Sequence, residues 1–182
     1  MIWQTIGIVV VIGGALVLVY VNYYNRIRTL ENRVEEAWAQ IDVQLQKRYD
    51  LVPNLVNTVK GYASHEKGIF ESISEARAGL MKGNRQERVE ADNMLTQAMG
   101  RLFAIAEAYP DLKAQENFKL LQEQLEGIEN KIAYARQFYN DTVLDLNNLI
   151  TTIPGMWFAG GREKQEFLEI PDEAREAPKV EF

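Results

Sequence analysis

The sequence contains no cysteine and a single histidine, His65. The absence of cysteine excludes a disulfide framework, a thiol nucleophile and a cysteine metal site. A carboxylate-bridged di-metal bundle needs Glu-x-x-His on two helices, and Tyr62 stands three residues before the single histidine. Phosphate-binding loops and dinucleotide fingerprints are also missing. We therefore predict a protein that is not an enzyme and that binds no metal or cofactor.

Charged residues are missing from the first 25 positions, and the first charge is Arg26. The apolar run from Ile2 to Tyr24 is as long as the roughly 20 residues that a membrane-crossing helix needs. Amphipathic aromatic residues near both ends suit the two headgroup layers. We predict a transmembrane anchor over residues 1–25. Its flanking aromatic and basic residues are Trp3, Tyr20, Tyr23, Tyr24, Arg26 and Arg28.

A cleaved signal peptide and a buried core helix fit the apolar run less well. A signal peptide has a basic start and a small-residue cleavage site, but no Lys or Arg precedes the run and Val19-Tyr20-Val21 is a poor cleavage site. A buried core helix is seldom so long and so uniformly apolar. The glycines of the run do not form G-x-x-x-G, so the span offers no evident dimerisation face.

Basic residues follow the apolar run and none precedes it: Arg26, Arg28 and Arg33 lie just after it. Such a bias places the C-terminal part in the cytoplasm and the N-terminus outside. We predict a single-pass protein of a bacterial inner membrane. The formal net charge of -6 argues against nucleic acid as a partner, because phosphate binding needs a basic patch.

Apolar residues recur at three- and four-residue steps after the anchor, and no stretch alternates as a strand does. The late seam has Phe118, Leu125, Ile132, Tyr139, Leu146 and Ile153, and the early one has Val34, Trp38, Ile41, Leu45, Arg48, Val52, Leu55 and Val59. Pro53 lies in the early seam, where we expect a kink rather than a helix end. The pattern predicts an all-α fold: an N-terminal transmembrane helix, then an antiparallel four-helix bundle with long first and last helices over residues 26–154.

The helix boundaries follow from breaking residues. Gly61 favours a helix end and Ser64 an N-cap, although a single helix continuing to Lys82 is the alternative. We expect a second helix to end at residues 82–84, a third from about Glu87 to Tyr109, and a last helix from Pro110 to Pro154. The inward residues predicted for the third helix are Met94, Leu95, Ala98, Leu102, Ile105 and Ala106.

The antiparallel arrangement of the first and last helices predicts facing residues. If Ile27 lies opposite Ile150, then Trp38 meets Tyr139. In the same register Arg48 meets Glu129, and Arg136 has Asp42 as its partner. A charge at a core position needs such a partner, because an unpaired buried charge is costly. These four charged residues are either a structural polar core or part of a partner-binding face.

Residues 155–182 form a segment rich in glycine and aromatic residues, then an acidic tail. Met156, Trp157 and Phe158 stand between glycines. If the last helix ends near the bilayer, these three residues form a wedge that inserts at the membrane interface. The alternative is that they pack under the base of the bundle.

Several long strings resemble the LemA family. They are residues 37–45, 47–56, 59–62, 108–114, 126–130 and 132–140, with a similar tail at residues 177–178 and 180–182. The resemblance covers nearly the whole chain. It implies one N-terminal membrane helix, an outside N-terminus and a soluble antiparallel four-helix bundle, and it implies no established biochemical activity.

The sequence therefore favours a membrane-anchored, non-enzymatic helical scaffold that self-associates and organises or shapes the membrane. Its expected partners are membrane lipids and further copies of the chain. The alternative is a monomeric adaptor or signalling module that binds another membrane protein. Co-purification with one stoichiometric partner distinguishes the adaptor from the scaffold.

Overall fold

The computed structural model describes residues 2–63 and 65–169, and the regular structure of these residues is helical. Its elements are α1 (Ile2–Lys60), α2 (Lys67–Gly79), α3 (Arg85–Ala106), α4 (Pro110–Ala114), α5 (Glu116–Thr151) and a 3-10 helix at Gly155–Phe158. The all-α prediction is confirmed.

Helix α1 changes character along its 59 residues. Residues 2–22 are exposed and mostly apolar, and α1 is the one described helix long and apolar enough to cross a membrane. From Ile27 onwards one stripe of the helix is buried, with a buried residue every three or four positions as far as Val59. Such a stripe is typical of a helix that packs on one face. The helix continues through Pro53, so the proline does not end it, as predicted.

The predicted break after the first helix is present. Helix α1 ends at Lys60 and α2 begins at Lys67, which rules out one helix continuing to Lys82. Glu66 occupies the N-cap position of α2 without a side-chain cap bond. The predicted N-cap, Ser64, lies outside the described residues.

A reciprocal capping box begins α3. The Asn84 side-chain oxygen accepts a hydrogen bond of 2.9 Å from the Glu87 backbone N–H, and the Glu87 carboxylate accepts one of 2.8 Å from the Asn84 backbone N–H. These bonds satisfy two backbone donors that a helix start would otherwise leave free. Gly83, at φ 87°, supplies the left-handed turn before the cap.

Two sequence predictions about helices are wrong. The last helix is interrupted: Gln115 has an extended backbone, with ψ at 127°, and it separates α4 from α5. The late apolar seam begins only at Phe118, so its helical period could not show whether Gln115, which lies before it, is helical. Met94 is 55% exposed, because α3 buries a stripe that includes Leu95 and Leu102 and Met94 lies beside that stripe.

The chain divides into two compact units. The first comprises the residues up to Trp38 together with Phe138–Phe167, and the second is built on Ala39–Gln137. In the first unit Trp38 and Tyr139 pack edge to face with ring centroids 6.3 Å apart, which is the pair that the antiparallel register predicted. Ile27 and Ile150 are both buried in this unit.

Candidate functional site

Three charged side chains are buried together in the second unit. Arg48 on α1, Asp92 on α3 and Arg136 on α5 are only 1%, 2% and 5% exposed. Asp92 accepts from both arginines: Arg48 Nη1 lies 2.6 Å from Oδ1, and Arg136 Nη2 lies 2.7 Å from Oδ2. One carboxylate thus joins residues from three helices. We call these three residues the Asp92 cluster.

The Asp92 cluster extends to two further polar groups. Arg48 Nη2 donates to Glu129 Oε2 over 3.1 Å, which is the contact that the sequence register predicted. Arg136 Nη1 donates to Asn93 Oδ1 over 2.8 Å. With Glu129 counted, two positive and two negative charges balance, as buried charges require.

The predicted partner of Arg136 is wrong. Asp42 binds Arg88 of α3 instead, and Arg136 binds Asp92. The antiparallel register relates only the first and last helices, so it could not predict a contact with a residue of α3. A signal for Asp92 was nonetheless present, since this carboxylate stands three residues from Val89 and three from Leu95, both buried. A charge on the apolar stripe of a helix marks a buried ionic contact.

The groups of the Asp92 cluster are shielded from solvent and bound mainly to one another. Burial lowers the pKa of the Arg136 guanidinium, and the neighbouring Asp92 carboxylate opposes that shift. The Nε atoms of Arg48 and Arg136 are buried and have no hydrogen-bond partner among the described residues. The terminal nitrogens of both arginines are engaged within the protein. The described residues also contain no group of three or more His, Asp or Glu side chains that could hold a metal ion.

A polar groove of about 600 Å³ lies in the first unit, where α1 leaves its apolar segment. We call it the basal groove. It is lined by Tyr23, Arg26, Thr29, Leu30, Arg33, Asp145, Asn148, Leu149, Thr152, Ile153, Pro154 and Gly155. Gly155 cannot be replaced without strain, because an added Cβ would lie 2.1 Å from the Leu149 carbonyl oxygen.

The segment after α5 packs on α1 within the first unit. The Phe158 ring stacks on Tyr23 with centroids 5.1 Å apart and meets Tyr20 at 6.0 Å. Met156 and Trp157 are 47% and 69% exposed. Phe158 therefore packs on α1 at the end of its apolar segment, and insertion of Met156, Trp157 and Phe158 at the membrane interface stays a prediction.

An ion pair also holds this segment to α1. Arg162 Nε lies 2.5 Å from Glu31 Oε1, and Arg28 Nη1 lies 2.9 Å from Glu31 Oε2. Burial raises the pKa of Glu31, but the hydrogen bonds from Arg162 and Arg28 outweigh burial, so the net shift is downward. The contact is therefore complete above the ordinary glutamate pKa and weakens as the pH falls through the lowered value.

A second groove, of about 530 Å³, lies in the second unit between residues of α1 and α5. We call it the lateral groove, and its lining residues are Gln40, Val43, Gln44, Gly127, Asn130, Lys131, Tyr134 and Ala135. Val43 and Tyr134 are 51% and 74% exposed. The Gln44 side-chain oxygen is buried there without a hydrogen-bond partner among the described residues.

These features define a class of protein: a helical protein with one N-terminal apolar helix long enough to span a bilayer and an ionic cluster closed inside its helices. A model of the LemA family matches residues 37–182. The chain belongs to the LemA family.

Three curated proteins have sequences similar to this chain. Magnetosome protein MamQ 2 of Paramagnetospirillum magneticum is 28% identical over 81% of this chain, and MamQ of Magnetospirillum gryphiswaldense is 27% identical over the same share. Protein LemA of Metamycoplasma hominis is 23% identical over 76% of this chain. The alignments cover 65%, 65% and 64% of these relatives, just under two thirds of their lengths. Their names describe no enzymatic activity.

Proposed function

We propose that the protein is a membrane-anchored, non-enzymatic helical scaffold that self-associates and thereby organises the membrane. The observation that carries this proposal is the continuity of α1. One 59-residue helix supplies both an exposed apolar segment of membrane-spanning length and a buried stripe in the helical part. A continuous helix of this kind connects the helical part directly to the bilayer. The arginines after the apolar segment favour a helical part in the cytoplasm.

The Asp92 cluster supports a structural role rather than catalysis. A catalytic carboxylate must reach a substrate, whereas Asp92 is 2% exposed and accepts from two arginines. A buried polar group of this kind fixes which helices pack together and in what register. The names of the curated relatives, magnetosome proteins among them, agree with a role outside catalysis.

The lateral groove is the surface that we assign to self-association. Its exposed Val43 and Tyr134 are residue types that gain free energy on burial, and tyrosine is enriched in protein interfaces. A partner that fills the groove would bury both of these side chains.

Replacing Tyr134 with glutamate is expected to weaken self-association at least ten-fold, because an interface that buries an unpaired charge loses several kcal/mol. Size-exclusion chromatography with light scattering, on full-length protein in mild detergent, measures the change. Met94→Glu is the matched control, since Met94 is also exposed in the second unit, at 55%, but lies outside the groove. Wild-type protein that is monomeric at all concentrations contradicts the scaffold and leaves the adaptor, which would co-purify with one membrane protein.

The exposed Met156 and Trp157 are proposed to make a second membrane contact. Phe158 packs on Tyr20 and Tyr23, which are the aromatic residues at the end of the apolar segment. Their neighbour Trp157, at 69% exposure, is therefore held at the level where tryptophan prefers the headgroup layer.

Removing the Trp157 side chain is expected to weaken liposome binding by roughly ten-fold in the chain from Val19 onwards, which keeps Tyr20 and Tyr23 under Phe158, since burial of such a side chain contributes about 1.5–3 kcal/mol. Liposome co-sedimentation measures this. Met94→Ala removes an exposed apolar side chain of α3 outside both grooves and is expected to leave liposome binding unchanged. Equal liposome binding by the wild type and the Trp157→Ala variant would contradict the proposed second membrane contact.

A further inference from the structure

The basal groove is lined by two arginines that the described residues leave unpaired. Within the described residues, neither Arg26 nor Arg33 has a hydrogen-bond or ion-pair partner, whereas the neighbouring Arg28 is paired with Glu31. Arg26 and Arg33 are seven residues apart, so they lie on the same face of α1, the face that lines the groove. Two free guanidinium groups that border one cavity form a site for an anion.

The opposite wall of the groove adds one donor and one opposing charge. Asn148 has a side-chain amide that makes no hydrogen bond within the described residues, and Asp145 carries a carboxylate. In the antiparallel register set by Trp38 and Tyr139, Asp145 lies level with Arg33 and away from Arg26. The end of the groove at Arg26 is therefore its most positive part. The charges that line the groove sum to one positive charge, which suits a singly charged anion.

The groove lies next to the apolar segment of α1, and this position indicates which kind of anion it would bind. Arg26 follows Tyr23 by three residues, about 4.5 Å along the helix, and the headgroup layer extends about 5–8 Å beyond the hydrocarbon on each side. Side chains of a helix point toward its N-terminus, so both arginines of α1 reach toward the membrane. Tyr23 and Ile153 supply apolar surface at the membrane end of the groove. Phosphate-binding groups at one end and apolar ones at the other match a phospholipid.

We propose that the basal groove binds the phosphate of one anionic phospholipid headgroup, with Arg26 as its main donor and Arg33 and Asn148 assisting. A phosphodiester with a single negative charge, as in phosphatidylglycerol, matches the lining. Binding of individual lipids by the helical part would couple the proposed scaffold to membrane composition. The inference rests on the proposed membrane anchoring.

Titration of the full-length protein in non-ionic detergent, followed by native mass spectrometry, tests this site. We expect one phosphatidylglycerol bound per chain, in preference to phosphatidylcholine. Arg26→Gln is expected to raise the apparent Kd about ten-fold or more, because a charge-assisted hydrogen bond contributes roughly 1.5–3 kcal/mol. Asp145→Asn is expected to lower the Kd, since it removes the one negative charge of the lining. This gain keeps the test decisive even if an arginine variant folds poorly.

Two control variants separate the site from general charge attraction. Arg28→Gln removes a charge at nearly the same depth but outside the groove, and it is expected to change the Kd about five-fold at most. Arg101→Gln removes an exposed charge on α3 and is expected to have no effect. Equal weakening by Arg26→Gln and Arg28→Gln overturns the site, and so does equal binding of phosphatidylcholine.

A free phosphate ion is the other source of the same chemistry. Inorganic phosphate is expected not to displace the bound lipid, and binding of phosphate alone with the same dependence on Arg26 overturns the assignment to a lipid. The same spectra report the number of chains per particle. Monomers that keep their lipid refute self-association alone, whereas oligomers without lipid refute the basal groove alone.

Discussion

Replacing Asp92 with asparagine is expected to lower the free energy of unfolding by about 3–5 kcal/mol, the range for removing one partner from a buried ion pair. The substitution keeps the shape of the side chain but removes the one charge that faces both Arg48 and Arg136. Two buried guanidinium groups then lack a counter-ion, apart from Glu129, whose side chain is 45% exposed. Denaturant unfolding followed by circular dichroism measures the loss.

The matched control for this substitution is Glu90→Gln. Glu90 lies on α3 two residues before Asp92, and it is exposed, so the same loss of charge is expected to change stability by less than about 0.5 kcal/mol. An Asp92→Asn variant as stable as the control would show that the Asp92 cluster does not stabilise the fold.

A triple variant separates the charge effect from simple loss of packing. Combining Arg48→Met, Asp92→Leu and Arg136→Met replaces the whole cluster with apolar side chains. Such replacements of complete buried ionic groups are often neutral or stabilising, so most of the stability lost in Asp92→Asn is expected to return. If the triple variant stays stable but no longer assembles, the cluster acts on helix register rather than on stability.

Two arginines in the centre of the apolar segment are expected to release the protein from the membrane. Ile12 and Leu16 lie near the middle of the span between Trp3 and Tyr23. Each arginine costs about 2.5–3.5 kcal/mol at the centre of a membrane helix, so Ile12→Arg with Leu16→Arg costs roughly 5–7 kcal/mol. The fraction of full-length protein that stays in the membrane pellet after alkaline carbonate extraction measures the effect.

Two controls accompany the arginine pair. Ile12→Leu with Leu16→Ile changes the same positions without adding charge, and it is expected to stay in the pellet. Leu120→Arg adds a positive charge at an exposed residue of α5 and is expected to stay there as well. A double-arginine variant that also resists extraction would refute the apolar segment as the anchor.

The helical class and the length of α1 were predictable because both depend on local properties. Neighbouring residues alone determine the helical period and the uniform apolarity of the first segment. The glycine at position 61 likewise indicated the end of α1, which the structure places at Lys60. The break at Gln115 was not predictable, because that residue has no glycine or proline beside it. Its extended backbone accompanies a side-chain hydrogen bond of 2.5 Å to the Tyr62 hydroxyl, a residue far away in the sequence.

Sequence by itself determined an all-helical chain of the LemA family, an apolar segment long enough to span a bilayer, and the pairing of Arg48 with Glu129. Only the tertiary structure decided that Asp92 is the common partner of Arg48 and Arg136, and that Arg26 and Arg33 border one groove with Asn148. The physical reason is the range of the interactions. Period and hydrophobicity act between residues a few positions apart, and the shared period of the two long helices was enough to set Arg48 opposite Glu129. Contacts with α3 and the shape of a groove depend instead on which helices lie side by side.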